Sequence, residues 1–343
     1  MQKPKVLLIY TGGTIGMIED SESGSLRPFD FNHLFNQVPE LKRFNIDIDC
    51  VSFEKPIDSS NMSPKEWIKM AEIIESNYVM FDGFVILHGS DTMAFSASAL
   101  SFMLENLAKP VIFTGSQLPI GKIRTDGKEN LITAIEIAAA KEYGKPIVPE
   151  VAIYFEYKLY RGNRTHKYNA EHFEAFQSAN YPELAEAGVH IKYNYAAILK
   201  PNDKKLIVHK NLDNNIAILK FFPGIKVELI EAILNVSGLR ALIIETFGAG
   251  NAPINPQMYN ALKKAIDKGI IIYNVTQCNS GSVDQGRYET SSAFNQIGVV
   301  SGKDITTEAA VSKLMYLLGL NLSNEQIKES LRISLRGEMT DKN

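Results

Sequence analysis

The chain has 343 residues, which at roughly 150 residues per domain is enough for two domains with full hydrophobic cores. Its composition, 45% hydrophobic and 22% charged, is that of a globular protein and excludes a disordered chain. With 36 Lys and Arg against 39 Asp and Glu, the net charge of −3 argues against a binder of nucleic acid or anionic membranes, so a small-molecule partner is expected.

The cysteines and the apolar runs indicate the compartment. Cys50 and Cys278 are the only cysteines, which excludes a disulfide scaffold and a thiolate metal cluster and fits a reducing environment. No stretch approaches the ~18 apolar residues of a membrane span, and the first apolar run, residues 6–10, is too short for a signal peptide. We therefore expect a cytoplasmic protein that does not contact a membrane.

In the first half of the chain, short runs rich in Val and Ile predict buried strands at residues 6–10, 84–88, 111–114 and 151–155. Stretches with helical spacing lie between them, and this alternation predicts an α/β fold with a mostly parallel sheet flanked by helices. The sharpest helix start is Ser63, followed by Pro64 and by Glu66 at the third helical position. Trp67 is then expected in the core, and a second helix is predicted over residues 92–107.

The second half begins after a polar segment rich in Pro, Asn, Asp and Lys. This segment, residues 199–215, predicts a linker between a larger N-terminal domain, 1–198, and a smaller C-terminal α/β domain, 216–343. Beyond it the pattern predicts strands at 216–221, 241–246 and 270–275, helices near 227–235 and at 255–268, and two C-terminal helices.

Four predicted strands end in turns that combine glycine with hydroxyl or amide residues, at residues 11–16, 88–92, 114–117 and 247–251. Ligands of open parallel sheets bind outside the carboxyl ends of the strands, so these turns are expected to converge on one pocket. Glycine lets the backbone approach a ligand closely, and a helix start offers free N–H groups to an anion or an oxyanion.

These turns match none of the common nucleotide or hydrolase fingerprints. The spacings G-x-G-x-x-G and G-x-x-x-x-G-K-[ST] are absent, and no G-x-S-x-G surrounds Ser90 or Ser116. The six histidines form no H-x-x-x-H pair, so no zinc site is expected. What remains is a hydroxyl-rich site with the carboxylate of Asp91, which suits binding of a small zwitterion and attack on an acyl carbon.

Taken together, the motifs resemble the bacterial-type L-asparaginases, in their cytoplasmic type I branch. TGGTIG after the first strand and HGSDTM after a later one resemble the two family signatures, and ASALSFMLENL, TGSQ, LYRGNRT, GNAP and TQC follow in the same order. The likeness covers nearly the whole chain, from Val6 to about Gly337. It implies hydrolysis of L-asparagine to L-aspartate and ammonia without a metal or organic cofactor, in a homodimer or homotetramer with sites at the subunit interface.

The resemblance also implies roles for single residues. Thr14 matches the nucleophile that attacks the side-chain amide carbon and forms an acyl-enzyme. Ser90 stands where the family usually has a second catalytic threonine, and with Asp91 and Lys167 it implies a proton-transfer group of hydroxyl, carboxylate and lysine.

Substrate binding follows from the same resemblance. Asp91 matches the residue that receives the substrate α-amino group, and Ser59 and Ser60 match the turn that holds the α-carboxylate. Asn251 matches a residue contributed by the partner subunit, so a complete site would need two chains.

Plainer interpretations stay open for several of these residues. Asp91 also fits the N-cap or first turn of the following helix, and the two roles are compatible. Lys167 also fits a solvated surface charge. Ser116 and Gln117 either line the pocket or satisfy their turn, and His88 is expected to be a buried histidine, not a base.

Two departures from the family pattern carry expectations. Ser25 stands where a mobile loop normally carries a tyrosine that hydrogen-bonds the nucleophile. Either Ser25 substitutes or another tyrosine reaches in, and the shorter, less acidic serine predicts weaker activation of Thr14 and a lower kcat. Some type I members bind an effector asparagine at a second site, and there Glu245 replaces an arginine and His166 replaces a threonine, whereas the cysteine is retained as Cys278. A carboxylate repels the effector's carboxylate and removes a bidentate donor, so no activation by asparagine is expected. The alternative is that Glu245 turns to solvent or pairs with a nearby lysine and another basic residue binds an effector.

Two alternative functions remain open. The asparaginase-like subunit of a tRNA-dependent amidotransferase shares these motifs, but it resembles an asparaginase with an additional N-terminal domain, whereas the first strand here begins at about residue 5. A non-catalytic amino-acid-binding protein would keep the pocket, and the joint retention of Thr14, Asp91 and Lys167 argues against it.

Overall fold

In this computed structural model, residues 3–19, 26–28, 38–286 and 289–341 are described. The chain divides into two units, Met1–Lys210 and Asn211–Asn343. The predicted domain limits at 198 and 216, with a linker between them, stay predictions at the level of single residues. Within the predicted linker, Ile207–Val208 forms a short strand.

The first unit is built on an eight-stranded sheet. Its strands are, in spatial order, Ile191–Tyr193, Ala185–Ala187, Lys158–Arg161, Val151–Phe155, Val111–Thr114, Gly83–Leu87, Lys5–Tyr10 and Asp47–Ser52. The five strands from Val151–Phe155 to Asp47–Ser52 are parallel neighbours, and the other pairings are antiparallel. The mostly parallel sheet is confirmed, and the four predicted strands form within one residue of their predicted bounds.

In the described part of this unit, three helices flank the sheet: Pro64–Asn77, Met93–Met103 and Gly127–Ala139. Alternate strand residues, among them Val6, Leu8 and Val85, share an apolar cluster with Leu131 and Ile135 of the last helix. The predicted start at Ser63 is confirmed, because the Glu66 carboxylate accepts the backbone N–H of Ser63 at 3.0 Å in a capping box.

The prediction of one helix over residues 92–107 was wrong at its end. The helix stops at Met103, and Leu104–Glu105 pairs antiparallel with Ile207–Val208. Asn106 takes a positive φ of 61°, which a helix cannot continue. The helix therefore gives way to a strand pairing with a partner about 100 residues away.

Short elements complete the first unit. They are the 3₁₀ turns Thr14–Gly16, Pro39–Arg43, Ser59–Asn61 and Gly162–Arg164 and the strand pairs Met17–Glu19 with Leu26–Pro28, Lys141–Glu142 with Lys145–Pro146, and His166–Lys167 with Phe176–Gln177.

The second unit has a parallel sheet of four strands in the order Ile216–Lys220, Ala241–Thr246, Ile271–Thr276 and Val300–Ser301. Its helices are Val227–Leu234, Pro256–Asp267, Glu289–Ile297, Thr307–Gly319 and Asn324–Arg332. The smaller α/β domain is confirmed, but the prediction of two C-terminal helices was wrong, because three follow the strand Ile271–Thr276. The additional one, Glu289–Ile297, is short and mostly polar, so it gave little apolar periodicity.

No described helix is long and apolar enough to cross a membrane.

Candidate active site

Three turns of the first unit meet at the carboxyl ends of its parallel strands. A Cβ added to Gly13 would lie 2.5 Å from the backbone N of Gly89, and one added to Gly89 would lie 2.5 Å from Oγ of Ser59. Thr92 ties the same region together, since its hydroxyl donates to the Ser59 carbonyl at 2.7 Å. Glycine is therefore required at both contacts, and the turns at residues 11–16, 58–61 and 88–92 form one site. The turn at 247–251 belongs to the second unit.

Lys167 joins two of the predicted catalytic residues. Its Nζ donates to Oγ of Ser90 at 2.8 Å and to Oδ1 of Asp91 at 2.6 Å. The Lys167 side chain is 15% exposed, whereas that of Asp91 is 65% exposed. A lysine held this way is not a solvated surface charge, and a short contact is typical of a lysine paired with a carboxylate. Asp91 precedes the helix, which begins at Met93 with Thr92 at its N-cap position.

Lys167 reaches the site from a segment with its own buried anchor. Arg161 pairs with Glu150 at 2.6 Å, and both side chains are less than 5% exposed. The Arg161 guanidinium also stacks over the Tyr181 ring, and the Arg161 carbonyl accepts the hydroxyl of Thr165 at 2.6 Å. A buried, fully paired charge of this kind is strongly destabilised by loss of one partner, so it fixes the backbone that leads to Lys167.

Ser116 and Gln117 were expected either to line the pocket or to satisfy their own turn, and the two residues differ in this respect. Ser116 donates its hydroxyl to the Leu118 carbonyl at 2.6 Å and so satisfies the turn. Gln117 faces the site, because its Oε1 accepts the Ser90 hydroxyl at 3.3 Å while its Nε2 donates to the His172 carbonyl at 3.0 Å. Gln117 thus links Ser90 to the segment after Lys167.

Sequence reasoning missed the two residues that hold this turn. The Asp126 carboxylate accepts the backbone N–H groups of Gln117 at 2.8 Å and Leu118 at 3.1 Å, and Asn130 donates to the Gly115 carbonyl at 3.0 Å. Burial raises the pKa of Asp126, and the backbone N–H groups it accepts lower it. The only signal available was its place just before the helix Gly127–Ala139.

Thr14 opens a 3₁₀ turn, Thr14–Gly16, directly after Gly13, and it is half-buried. The turn rests on Tyr10, whose hydroxyl donates to the Gly16 carbonyl at 3.1 Å. A Cβ on Gly16 would lie 2.3 Å from the Tyr10 ring. Burial raises the pKa of Tyr10 to about 12, so it is neutral and acts as a donor. The prediction for Ser25 lies outside the described residues.

The two serines proposed for the α-carboxylate differ in their surroundings. Ser59 is buried at the meeting point of the turns, whereas Ser60 is exposed. The Ser60 backbone N–H and hydroxyl both donate to the Asp58 carboxylate at 2.9 Å, and these bonds lower the pKa of Asp58. Ser60 is therefore already engaged in an Asx turn.

His88 and Trp67 are buried as predicted. The His88 ring is fully enclosed, and burial lowers its pKa to about 4, although a hydrogen bond with Gly89 opposes this shift. A neutral, enclosed imidazole cannot reach a substrate, which fits the expectation that His88 is not a base.

The remaining predicted positions have contacts of their own within each unit. His166 pairs with Gln177 in the short strand that also carries Lys167. In the second unit, Asn251 closes its turn by backbone bonds to Phe247, and Cys278 is exposed. Glu245 accepts the Thr307 hydroxyl at 2.7 Å and lies 3.8 Å from Lys220.

Among the described residues, no group of three or more His, Cys, Asp or Glu is arranged to hold a metal ion.

Comparison with known proteins shows which family the chain resembles. A family model described as "Asparaginase, N-terminal" matches residues 5–199, and one described as "Glutaminase/Asparaginase C-terminal domain" matches residues 215–331. The chain is 44% identical to L-asparaginase 1 of Escherichia coli strain K12, covering 99% of both chains. It is similar in structure to L-asparaginase I of Vibrio cholerae, with a TM-score of 0.90, 41% identity and coverage of 98% and 99% of the two chains. It is also 31% identical to a component of the glutamyl-tRNA(Gln) amidotransferase of Methanopyrus kandleri, covering 98% of this chain and 75% of that component.

Proposed function

Because the chain belongs to the asparaginase family, we propose that it is an amidohydrolase that converts L-asparagine and water to L-aspartate and ammonia. The observation that carries this proposal is the contact of Lys167 with both Ser90 and Asp91 beside the converging turns. A lysine in contact with both a hydroxyl and a carboxylate forms a proton-transfer group, which amide hydrolysis requires.

The proposed reaction begins at the Thr14 hydroxyl. Its oxygen attacks the side-chain amide carbon, the amide nitrogen takes up a proton and leaves as ammonia, and an ester between Thr14 and the aspartyl group remains. Water then attacks this ester, its oxygen enters the aspartate carboxylate, and Thr14 regains its proton.

Ser90 and Lys167 would move the protons of these steps. The Ser90 hydroxyl lies one hydrogen bond from Lys167, so a proton can pass between them without a large movement. Asp91 holds Lys167 in place through its carboxylate. Because the lysine is largely enclosed, its contacts are less weakened by solvent than those of an exposed pair.

The same carboxylate is our candidate for the substrate α-amino group. The Asp91 side chain remains 65% exposed beside Lys167, so an ammonium group can approach it. Ser59 and Ser60 are the candidates for the α-carboxylate, with Ser59 the more central because it lies against Gly89.

We further propose a homodimer or homotetramer in the cytoplasm in which the partner subunit's Asn251 completes each site. A mixed oligomer tests this directly. Thr14→Ala and Asn251→Ala chains, each inactive alone, should regain part of the activity when refolded together, because one site then has both native residues. No recovery would contradict a shared site.

Activation by asparagine at a second site is not part of this proposal. By the family resemblance, Glu245 stands where an effector's carboxylate would need a guanidinium, and its carboxylate contacts Thr307 and Lys220. Without differential binding of an effector, no shift between conformations can follow.

The test is a coupled ammonia assay on the purified protein with L-asparagine, L-glutamine and D-asparagine. We expect ammonia from L-asparagine without any tRNA. Discrimination against glutamine depends on one methylene, worth roughly 1–3 kcal/mol, so a smaller glutamine activity is compatible with the proposal. Ammonia only in the presence of tRNA and a second protein chain would favour the amidotransferase function, and binding without ammonia release would favour a non-catalytic amino-acid-binding protein.

A further inference from the structure

A buried chain of hydrogen bonds leads from the helix Pro64–Asn77 to the turn that carries Ser90. Trp67 Nε1 lies 2.9 Å from Oγ of Ser96, Ser96 Oγ lies 2.8 Å from Nε2 of His88, and His88 Nδ1 lies 2.6 Å from the Gly89 carbonyl oxygen. Ser96 and His88 are fully buried, and Trp67 is 5% exposed. Three elements thus contribute one polar group each to a path through the apolar interior.

The chemistry of the two ends fixes the direction of every bond. An indole N–H can only donate, so Ser96 accepts from Trp67. A carbonyl can only accept, so Nδ1 of His88 donates to Gly89. Nε2 of the neutral imidazole is then an acceptor, and the Ser96 hydroxyl donates a hydrogen bond to it. All polar atoms of the path are satisfied in one tautomer of His88.

The path ends at the peptide that precedes Ser90. Because the peptide unit is planar, fixing the Gly89 carbonyl also fixes the direction of the Ser90 N–H and the position of its Cα. Gly89 lacks a side chain to hold it, and its other close neighbours, Gly13 and Ser59, contact it by packing. Ser90 in turn must keep its hydroxyl 2.8 Å from Lys167.

We propose that Trp67, Ser96 and His88 form a one-directional hydrogen-bond relay that fixes the Gly89–Ser90 peptide and thereby positions the Ser90 hydroxyl against Lys167. His88 and Ser96 are positioning residues, since neither reaches the site surface. This inference rests on the proposed function, because its main readout is hydrolysis of asparagine.

The relay requires that the His88 ring is neutral. A protonated ring would carry a second N–H at Nε2, and the Ser96 hydroxyl would lose its acceptor there. Burial lowers the pKa of His88 to about 4, so the relay keeps its direction at neutral pH.

Ser96→Ala tests the relay by removing its middle member. We expect kcat for asparagine to fall about tenfold with KM within about twofold, because a hydroxyl that acts on the reacting group is misplaced while substrate contacts remain. Ser96→Thr keeps the hydroxyl and should restore kcat to within about threefold of wild type. The matched control is Ser101→Ala on the same helix, a buried serine whose hydroxyl donates to the Ala97 carbonyl one turn back.

A second readout does not depend on activity. Trp67 is the only tryptophan of the chain, so its fluorescence reports the first bond of the relay. Ser96→Ala should shift the emission maximum, whereas Ser96→Thr and Ser101→Ala should leave it unchanged.

If Ser96→Ala does not fold, substitutions of His88 test the relay instead. In His88→Asn, the amide nitrogen takes the place of Nδ1 and still donates to the Gly89 carbonyl. In His88→Gln, the longer side chain reaches towards Ser96, and the Gly89 carbonyl loses its donor. We expect kcat of His88→Asn to exceed that of His88→Gln by at least about fivefold.

Several results would overturn the relay. They are an unchanged kcat in a folded Ser96→Ala, an equal loss in Ser101→Ala, or a kcat of His88→Gln that equals or exceeds that of His88→Asn. If the wild-type protein released no ammonia from asparagine, the proposed function would fail instead, and the fluorescence comparison alone would decide whether the hydrogen bonds form.

Discussion

The turns at residues 11–16 and 88–92 follow neighbouring strands, yet they are held by different means. Side-chain hydrogen bonds hold the second turn, through Lys167 and His88. Close packing is the main constraint on the first, where Gly13 lies against Gly89 and Gly16 lies on the Tyr10 ring, and the Tyr10 hydroxyl adds a hydrogen bond to the Gly16 carbonyl. The contrast indicates that the proton-transfer side of the site depends mainly on polar side chains, whereas the nucleophile side depends mainly on the close approach that glycine allows.

The largest expected effect is on the nucleophile itself. Thr14→Ala should abolish hydrolysis, by about 10⁴-fold or more, while leaving the fold intact, because the proposed acyl acceptor is lost. Thr14→Ser, which keeps the hydroxyl, should retain measurable turnover. Steady-state ammonia release and circular dichroism check both variants, and wild-type turnover in Thr14→Ala would remove the assignment.

The polar side should respond next. Ser90→Ala and Lys167→Met should each lower kcat by about 10²- to 10⁴-fold, and the double variant should lose little more, because the two groups act as a unit. Asp91→Ala should raise KM more than the other two. Lys158→Met is the matched control, since Lys158 pairs with Glu183 on the surface and should leave kcat unchanged. Additive losses in the double variant would show that Ser90 and Lys167 act independently.

A glycine substitution tests the packed side. Gly13→Ala adds a Cβ 2.5 Å from Gly89 at a φ of 89°, so the two turns must separate, and kcat/KM should fall about 100-fold. Gly144 has a similar φ of 78° with no atom within 4 Å of an added Cβ. Gly144→Ala should therefore lower the free energy of unfolding by about 1–2 kcal/mol without a change in kcat/KM. Equal kinetics in the two variants would contradict the role of close approach.

The pH dependence of stability tests the enclosure of His88. Its folded pKa of about 4 lies below the unfolded value of about 6.5, so the unfolded chain binds the extra proton between these values. The stability from neutral His88 is complete above pH 6.5 and is lost as the pH falls towards 4. From pH 7.5 to 5.0, wild type should lose about 2 kcal/mol more than His88→Asn in denaturant unfolding. Equal losses would mean that His88 titrates normally.

The smallest expected effect is an absence of cooperativity. A substrate saturation curve at constant enzyme concentration should be a hyperbola, because Glu245 disfavours a carboxylate effector. Cys278→Ser should leave the curve unchanged. A Hill coefficient clearly above one that falls on substitution of Cys278 would show that an effector does bind.

Much of the fold was predictable because its signals are local. The strand Val111–Thr114 is one nearly uninterrupted apolar run, and the helix start at Ser63 is encoded within four residues. The end of the helix at Met103 was not predictable, because it depends on pairing with Ile207–Val208. Local propensity contains no information about a partner so distant in sequence.

The same distinction between local signals and distant partners applies to the site. Thr14, Ser90 and Lys167 were predicted because each lies in a motif, and Lys167 lies in contact with Ser90. Asp126 and the Ser96 relay were missed because an acid before a helix and a serine within one are ordinary features of any sequence. Their partners come from other elements, so only the folded chain identifies them.

The strand Lys5–Tyr10 lies between two strands that follow it in sequence, and this position has a consequence for synthesis of the protein. This strand is almost entirely apolar, and its two neighbours, Asp47–Ser52 and Gly83–Leu87, are made later. At about 5–20 residues per second, the ribosome needs roughly 4–15 seconds to extend the chain from Tyr10 to Leu87. During that interval an unpaired hydrophobic strand is open to aggregation, so we expect the nascent chain to depend on chaperone protection until its second edge is covered.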